Sequence, residues 1–338
     1  MVSIIAWVVA ALLVGAILIV ARLVLATRRL AAEAERKCPP TGRFVEVDGN
    51  KIRYVDQGEG RPIVFVHGLG AQLHHFTGPI FDRFGPGYRL IALDRPGSGY
   101  STRARGATGA LSEQAAVIRR FIEELGLEKP LIVGHSLGGA IALALAVEHP
   151  DAISGVALLS PLTHLETELR PEFRPLYIPS RLVRWVVANT IAVPRSYQYA
   201  EATLAYLFNP QKPPADYPTE GGGWLGLRPS HFYASATDFT AIPLDLGRIE
   251  ARYGEIDMPA ALMFGTADPI VAFAEHGAPM AGRIENLDFE VVEGMGHMPH
   301  FVEPQRVVAF IRRLAKRAFA GEPVAQAAGR RPPHDVES

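Results

Sequence analysis

Gly134-His135-Ser136-Leu137-Gly138 decides how the rest of the chain is read. The pentapeptide follows an apolar stretch, Pro130 to Val133, and precedes an Ala-rich helical stretch, Ala140 to Glu148. Serine flanked by glycines two residues away, between a strand and a helix, suits a tight turn whose strained backbone only glycine neighbours leave room for. Such a turn lifts the hydroxyl toward a substrate. A Gly-rich helix start is the alternative for the pentapeptide alone, and the strand before it with the helix after it favours the turn.

Working outward, short apolar strands alternate with longer helical stretches from Pro62 onward. Strand candidates are Ile63 to Val66, Leu90 to Leu93, Leu131 to Val133, Val156 to Leu159, Ala260 to Phe264 and Phe289 to Val292; amphipathic helices fit Leu111 to Leu125 and Gln305 to Phe319. Uninterrupted apolar strands with intervening helices predict a mostly parallel sheet covered on both faces, an α/β architecture. Ahead of it, Phe44 to Val47 and Lys51 to Val55 alternate around Asp48-Gly49-Asn50 and read as a β-hairpin. The alternation breaks over residues 162–257, where prolines and aromatics gather. A structureless loop of that length does not suit a compact domain, so an inserted, mainly helical cap or lid is expected there. The core then comprises residues 43–161 and 258–320, and residues 321–338, Ala/Gly/Pro/Arg-rich without an apolar period, read as a disordered tail.

Serine is a weak nucleophile at neutral pH and needs an imidazole to take its proton, with a carboxylate to orient that imidazole. Asp268, in Gly265-Thr266-Ala267-Asp268-Pro269, follows the strand Ala260 to Phe264 and so falls at the sheet edge where open α/β sheets build their sites. Its bland reading is a turn-forming Asp before Pro. His297, in Gly294-Met295-Gly296-His297, follows the strand Phe289 to Val292. His300 competes with it, and the loop glycines favour His297. Ser98 is set aside as a nucleophile because Pro96 stands where the turn requires glycine.

These residues, in the order nucleophile, acid, histidine, resemble the α/β-hydrolase fold superfamily in its esterase and lipase-like branch, over roughly residues 43 to 320. His67-Gly68-Leu69-Gly70 is similar to that family's oxyanion-hole loop, and Asp94-Arg95-Pro96-Gly97-Ser98-Gly99-Tyr100-Ser101 to its turn after the next strand. The resemblance implies an oxyanion hole made by the backbone N–H groups of Leu69 and Leu137, with the Asp94 to Ser101 turn as structural support. It also implies cleavage of an acyl bond by Ser136, His297 and Asp268, without metal or organic cofactor. Dehalogenases and epoxide hydrolases of the superfamily use aspartate at the elbow, against which Ser136 argues.

Val2 to Ala21 runs for 20 residues without a charge. At 1.5 Å per residue that covers about 30 Å, the thickness of a bilayer's hydrocarbon core. A transmembrane anchor over residues 2–25 and a charged tether over 26–42 are expected; a cleavable signal peptide lacks its basic n-region, and a buried helix would sit oddly ahead of the first strand. Arg22, Arg28, Arg29, Arg36 and Lys37 all follow the run, which places the catalytic domain in the cytoplasm by the positive-inside rule. The remaining composition is balanced. With 34 basic against 35 acidic residues, no electrostatic case exists for nucleic acid, and the single Cys38 excludes an internal disulfide. No Cys/His spacing suggests a metal.

Aromatic residues in the expected cap, among them Trp185, Tyr206, Phe208, Tyr217 and Trp224, suit either an apolar acyl pocket or the cap's own core. With the anchor they favour a lipophilic ester, monoacylglycerol-like, as the small-molecule substrate. Two rival readings stay open: a carbon–carbon bond hydrolase on the same triad, and a non-catalytic receptor or scaffold that keeps the fold for binding.

Overall fold

The computed structural model describes residues 2–166 and 168–320, so the expected tail lies outside the described residues. Strands β1 (Arg43–Val47) and β2 (Asn50–Gln57) form the expected hairpin. Its two-residue turn puts Asp48 at φ 47° and Gly49 at φ 76°, the left-handed pair that matches strand twist. β2 pairs antiparallel with β4 (Gly87–Leu93), and from there the sheet is parallel through β3 (Gly60–Val66), β5 (Leu131–His135), β6 (Gly155–Leu159), β7 (Ala260–Gly265) and β8 (Asp288–Val292). The eight strands lie in the order β1-β2-β4-β3-β5-β6-β7-β8.

Alternate strand residues feed two cores, as the period of two requires. Val64, Val66, Ile132, Leu158 and Leu262 pack beneath helices Leu111–Glu124 and Leu137–Glu148. Ile63, Phe65, Leu131, Val133 and Met263 face Phe76, Phe84 and helix Pro304–Ala318 on the other side. Helix Leu137–Glu148 is apolar around nearly its whole circumference and is buried from Leu137 to Val147. Helix Pro304–Ala318 instead buries one stripe, Val307, Val308, Phe310, Ile311, Leu314 and Ala315, begins with proline and ends with Lys316 and Arg317 against its dipole.

Between β6 and β7 the described residues contain helices and turns and no strand, including Arg181–Val187, Ala188–Ala192, Val193–Gln198, Ala200–Phe208 and Pro229–Ala241. The N-terminal helix runs from Val2 to Lys37 without a break and stops before Pro39-Pro40. It contains an 18-residue window of mean hydropathy 3.0, none of it buried, and is long and apolar enough to cross a membrane. Residues 26–37, expected as part of a tether, are a continuation of this helix and are packed. Thr27 Oγ1 donates to the Thr190 carbonyl at 2.9 Å, Ala34 is buried with Val193 and Leu227 beside Leu30, and Glu35 meets Arg228 at 2.8 Å. The charges of this segment occupy one face while Leu30 and Ala34, four residues apart, form the stripe that docks.

Candidate active site

Because β3, β5, β7 and β8 are parallel, the loops after them open at one edge of the sheet. Ser136 follows β5 at φ 53° and ψ −121°, a conformation that costs a non-glycine residue about 1–3 kcal/mol. The surroundings enforce it. Ser136 N donates to the Leu159 carbonyl at 3.0 Å, and its own carbonyl accepts from Gly139 and Leu162. A Cβ on Gly134 would lie 2.5 Å from the Gly138 carbonyl oxygen, and one on Gly138 would collide with the Val66 and His67 carbonyls. Both glycines of the motif are therefore steric requirements.

Asp268, after β7, has its carboxylate fully held. Oδ1 accepts the N–H groups of Ile270 and Val271, both at 2.9 Å, while Oδ2 lies 2.7 Å from His297 Nδ1. The two side chains are 0% and 3% exposed. Fixing Nδ1 against a carboxylate orients the imidazole and leaves Nε2 as its free position. The loop carrying His297 is clamped from the helical insertion, where Gln211 accepts from Gly296 N at 3.0 Å and donates to the Gly294 carbonyl at 2.7 Å. Tyr206 OH donates to the Pro269 carbonyl at 3.0 Å and braces the Asp268 loop in the same way. The elbow itself reaches this loop: His135, next to Ser136, contacts the His297 carbonyl through Nε2 at 2.9 Å, which makes Nε2 the protonated nitrogen.

Gly68 lies against the elbow, since a Cβ there would sit 3.0 Å from Ser136 Cβ. Its carbonyl accepts from Arg95 Nη2 at 2.9 Å, and Arg95 Nε donates to the His67 carbonyl at 2.9 Å. In a trans peptide the N–H points opposite to the preceding C=O, so the hold on the Gly68 carbonyl turns the Leu69 N–H away from Arg95. Arg95 is 0% exposed and pairs with Asp238 of helix Pro229–Ala241 at 2.6 Å, an aspartate that Arg103 also contacts. Burial pushes the Arg95 guanidinium below its ordinary pKa, with Asp238 opposing that shift. The sequence marks the Asp94 to Ser101 turn as support but carries no sign of the Arg95–Asp238 pair or of Gln211. A buried arginine beside a glycine-rich loop carries no sequence period, and its partner is far along the chain.

His300 stands apart from the Asp268–His297 pair. It is completely buried, packs its ring on His135, Phe76 and Phe301, and burial holds its pKa well below normal. The fold brings ring nitrogens of His75, His135 and His300 within 4.8 Å of one another, a cluster that spacing along the chain did not reveal. The charges acting on these rings are other imidazoles, and burial lowers all three pKa values, His75 to about 3. His75 Nδ1, His135 Nδ1 and both ring nitrogens of His300 are buried there without a hydrogen-bond partner. In the second grouping Glu166 and Glu275 both pair with the Arg170 guanidinium, and Glu166 also meets His276 Nε2 at 3.0 Å. Of the expected pocket aromatics, Phe208 and Tyr217 are core residues packed with Met298 and Phe301, while Trp185 is 58% exposed.

Comparison with known proteins agrees with this architecture. The chain is 39% identical over 122 residues to the dihydrolipoyllysine-residue acetyltransferase component of the acetoin cleaving system of Cupriavidus necator, covering 36% of this chain and 32% of that protein. It thus spans about a third of that relative's length. It is 29% identical over 264 residues to a non-heme haloperoxidase of Rhodococcus erythropolis, covering 74% of this chain and 90% of that one. Among solved structures, a membrane phospholipase A described as a bacterial virulence factor superposes with a TM-score of 0.64 at 21% identity, covering 95% of this chain and all of that one. The profile of the alpha/beta hydrolase fold family matches residues 61–304, and the chain belongs to that family.

Proposed function

We propose that this α/β-hydrolase is a membrane-anchored serine hydrolase that cleaves carboxylic esters of lipophilic acyl groups. The observation that carries the reading is the 2.7 Å contact of His297 Nδ1 with an Asp268 carboxylate whose other oxygen is held by two backbone N–H groups. That arrangement suits His297 Nε2 to act as a base at the sheet edge that carries Ser136.

In the reaction, His297 Nε2 takes the Ser136 hydroxyl proton as Oγ attacks the ester carbonyl carbon. The carbonyl π-electrons move to oxygen, and the resulting oxyanion is received by the N–H groups of Leu69 and Leu137. Leu137 opens its helix, where first-turn N–H groups have no carbonyl one turn back. Collapse of the tetrahedral intermediate expels the alcohol, which takes the proton from His297, and leaves an acyl-Ser136 ester. Water then repeats the sequence, giving its proton to His297 and releasing the acid with Ser136 restored. Asp268 stabilises the imidazolium at both stages.

The N-terminal helix supports a bilayer-spanning anchor, with the basic residues after its apolar run favouring a cytoplasmic catalytic domain, and the helical insertion between β6 and β7 acts as the cap over the site. Hydrolase chemistry accords with the family. The lipophilic preference rests on the anchor and on the exposed Leu182, Trp185, Val186 and Ile191 of the helical run that meets it at Thr190, and the phospholipase name of the structural neighbour points the same way.

Two experiments test this reading. A fluorophosphonate probe should label the full chain and fail to label Ser136→Ala. A panel of p-nitrophenyl esters of increasing chain length should be turned over, with longer chains preferred. Labelling that survives in Ser136→Ala refutes the nucleophile, and a labelled protein inactive on every ester turns the assignment toward carbon–carbon hydrolysis.

A further inference from the structure

Beyond the triad, the seam between the turn after β4 and the helical insertion holds a cavity of about 450 Å³. Its walls include Arg103, Arg105, Arg181 and Arg184, together with Tyr233 and Thr237. Carboxylates are scarce there. Asp238 is shared between Arg95 and Arg103, and Glu113 is engaged by the N–H groups of Thr108 and Gly109. Among the described residues, Arg105, Arg181 and Arg184 have no carboxylate within ion-pair distance. Arg184 is buried, donates to Thr237 Oγ1 at 2.7 Å and lies over the Tyr233 ring. Arg103 Nη1 is closed off from water without a hydrogen-bond partner. Arg184 turns its fork on the Ile178 carbonyl and Arg103 on the Pro96 carbonyl, so Arg105 and the remaining donors of Arg181, whose Nη2 holds the Gly106 carbonyl, are the groups open to a multivalent oxyanion.

The position of the cavity narrows the ligand. Helix Arg181–Val187 carries two of the arginines and also exposes Leu182 (71%), Trp185 (58%) and Val186 (44%). It runs on into Ala188–Ala192, where the Thr190 carbonyl accepts from Thr27 of the N-terminal helix. Thr27 is six residues past Ala21, where the apolar run ends, so it stands about 9 Å further along the helix axis. The headgroup layer outside the hydrocarbon core is roughly 5–8 Å deep on each side. Once the N-terminal helix spans the bilayer, Thr27 and Thr190 therefore stand just outside the headgroup layer, and long side chains on the helix that leads into Thr190 reach back toward the lipid phosphates. Leu182, Trp185 and Val186 are exposed on that helix, and a tryptophan close to the headgroups is in its preferred place.

We propose that this cavity is a binding site for the phosphate of an anionic phospholipid in the leaflet from which the N-terminal helix emerges. The guanidinium groups receive the phosphate, and the acyl chains lie along Leu182, Trp185 and Val186. This inference rests on the bilayer-spanning reading of the N-terminal helix. Arg105 and Arg181 are exposed, so replacing both by glutamine leaves the core and the triad untouched.

Full-length protein is reconstituted into phosphatidylcholine vesicles with and without phosphatidylglycerol. Carbonate-resistant flotation with phosphatidylcholine alone tests the spanning helix separately, and a protein that washes off sinks that reading. For protein that floats, the phosphatidylglycerol retained per chain after detergent extraction and gel filtration is measured by mass spectrometry. Wild type should retain phosphatidylglycerol over phosphatidylcholine. The variant R105Q/R181Q should retain about thirtyfold less, with unchanged turnover of a short soluble ester. Equal retention of the two lipids, or equal retention by variant and wild type, overturns the proposal. So does full displacement of the lipid by inorganic phosphate, which would assign the site to free phosphate.

Discussion

Replacing Asp238 by asparagine removes the charge at the centre of the buried network and preserves its volume. Arg95 would stay 0% exposed, with a neutral amide in place of the carboxylate now 2.6 Å from Nη1. Breaking a buried ion pair from one side costs about 3–5 kcal/mol, because the remaining charge keeps its desolvation penalty. The lower part of that range applies, since Arg95 still donates to Gln114 and to the His67 and Gly68 carbonyls. At about 2–4 °C per kcal/mol for a domain of roughly this size, the melting temperature falls by about 6–12 °C. Activity falls as well, because Arg95 aims the Gly68–Leu69 peptide. The loss stays below the 10²–10³ expected for deleting an oxyanion donor, at about tenfold in kcat with little change in KM. Differential scanning fluorimetry and p-nitrophenyl acetate turnover in detergent measure both effects. A companion variant, Arg95→Met with Asp238→Asn, separates them: with no unpaired buried charge at Arg95, stability returns at least halfway, while kcat drops further because nothing holds the Gly68 carbonyl. An unchanged melting temperature in Asp238→Asn, or wild-type kcat in the double variant, would refute the reasoning.

Three other outcomes follow from the same geometry. Asp268→Asn should lower kcat by about 10⁴ through the wrong imidazole tautomer, with the melting temperature nearly kept, and a loss under about tenfold on p-nitrophenyl esters would remove Asp268 from the triad. Burial holds His75 at a pKa of about 3 and His231 at about 4, against 6.5 in the unfolded chain. Between pH 6.5 and those values the unfolded state binds more protons, so stability is lost as pH falls, by up to about 1.4 kcal/mol per residue per pH unit. From about pH 7.5 to 5.5 the two together cost about 2–3 kcal/mol, read as a melting-temperature drop of about 5–10 °C; a flat profile contradicts the buried neutral state. Deleting residues 1–21 should yield a soluble domain with its melting temperature kept, whereas deleting 1–36 strips Leu30 and Ala34 from their cluster with Val193 and Leu227 and lowers it. Equal melting temperatures for the two truncations would show that the packed half of the helix contributes nothing to stability.

The strands, the elbow serine and the apolar N-terminal run were legible in the sequence because each is a local pattern. Four consecutive apolar residues such as Ile63 to Val66 already specify a strand buried on both faces, and Gly134 and Gly138 are required by backbone clashes within one turn. The α/β class, the parallel sheet and the choice of Asp268 and His297 from strand-end positions all follow from such patterns. What only tertiary structure decided is everything that joins distant segments. Arg95 meets Asp238 143 residues away, and Gln211 clamps Gly296 across 85. The charged stretch after the apolar run reads as a solvated tether until Val193 and Leu227 arrive to cover Leu30 and Ala34. Periodicity reports which face of an element avoids water, whereas a buried ion pair or a docked helix depends on a partner that the chain brings near only by folding.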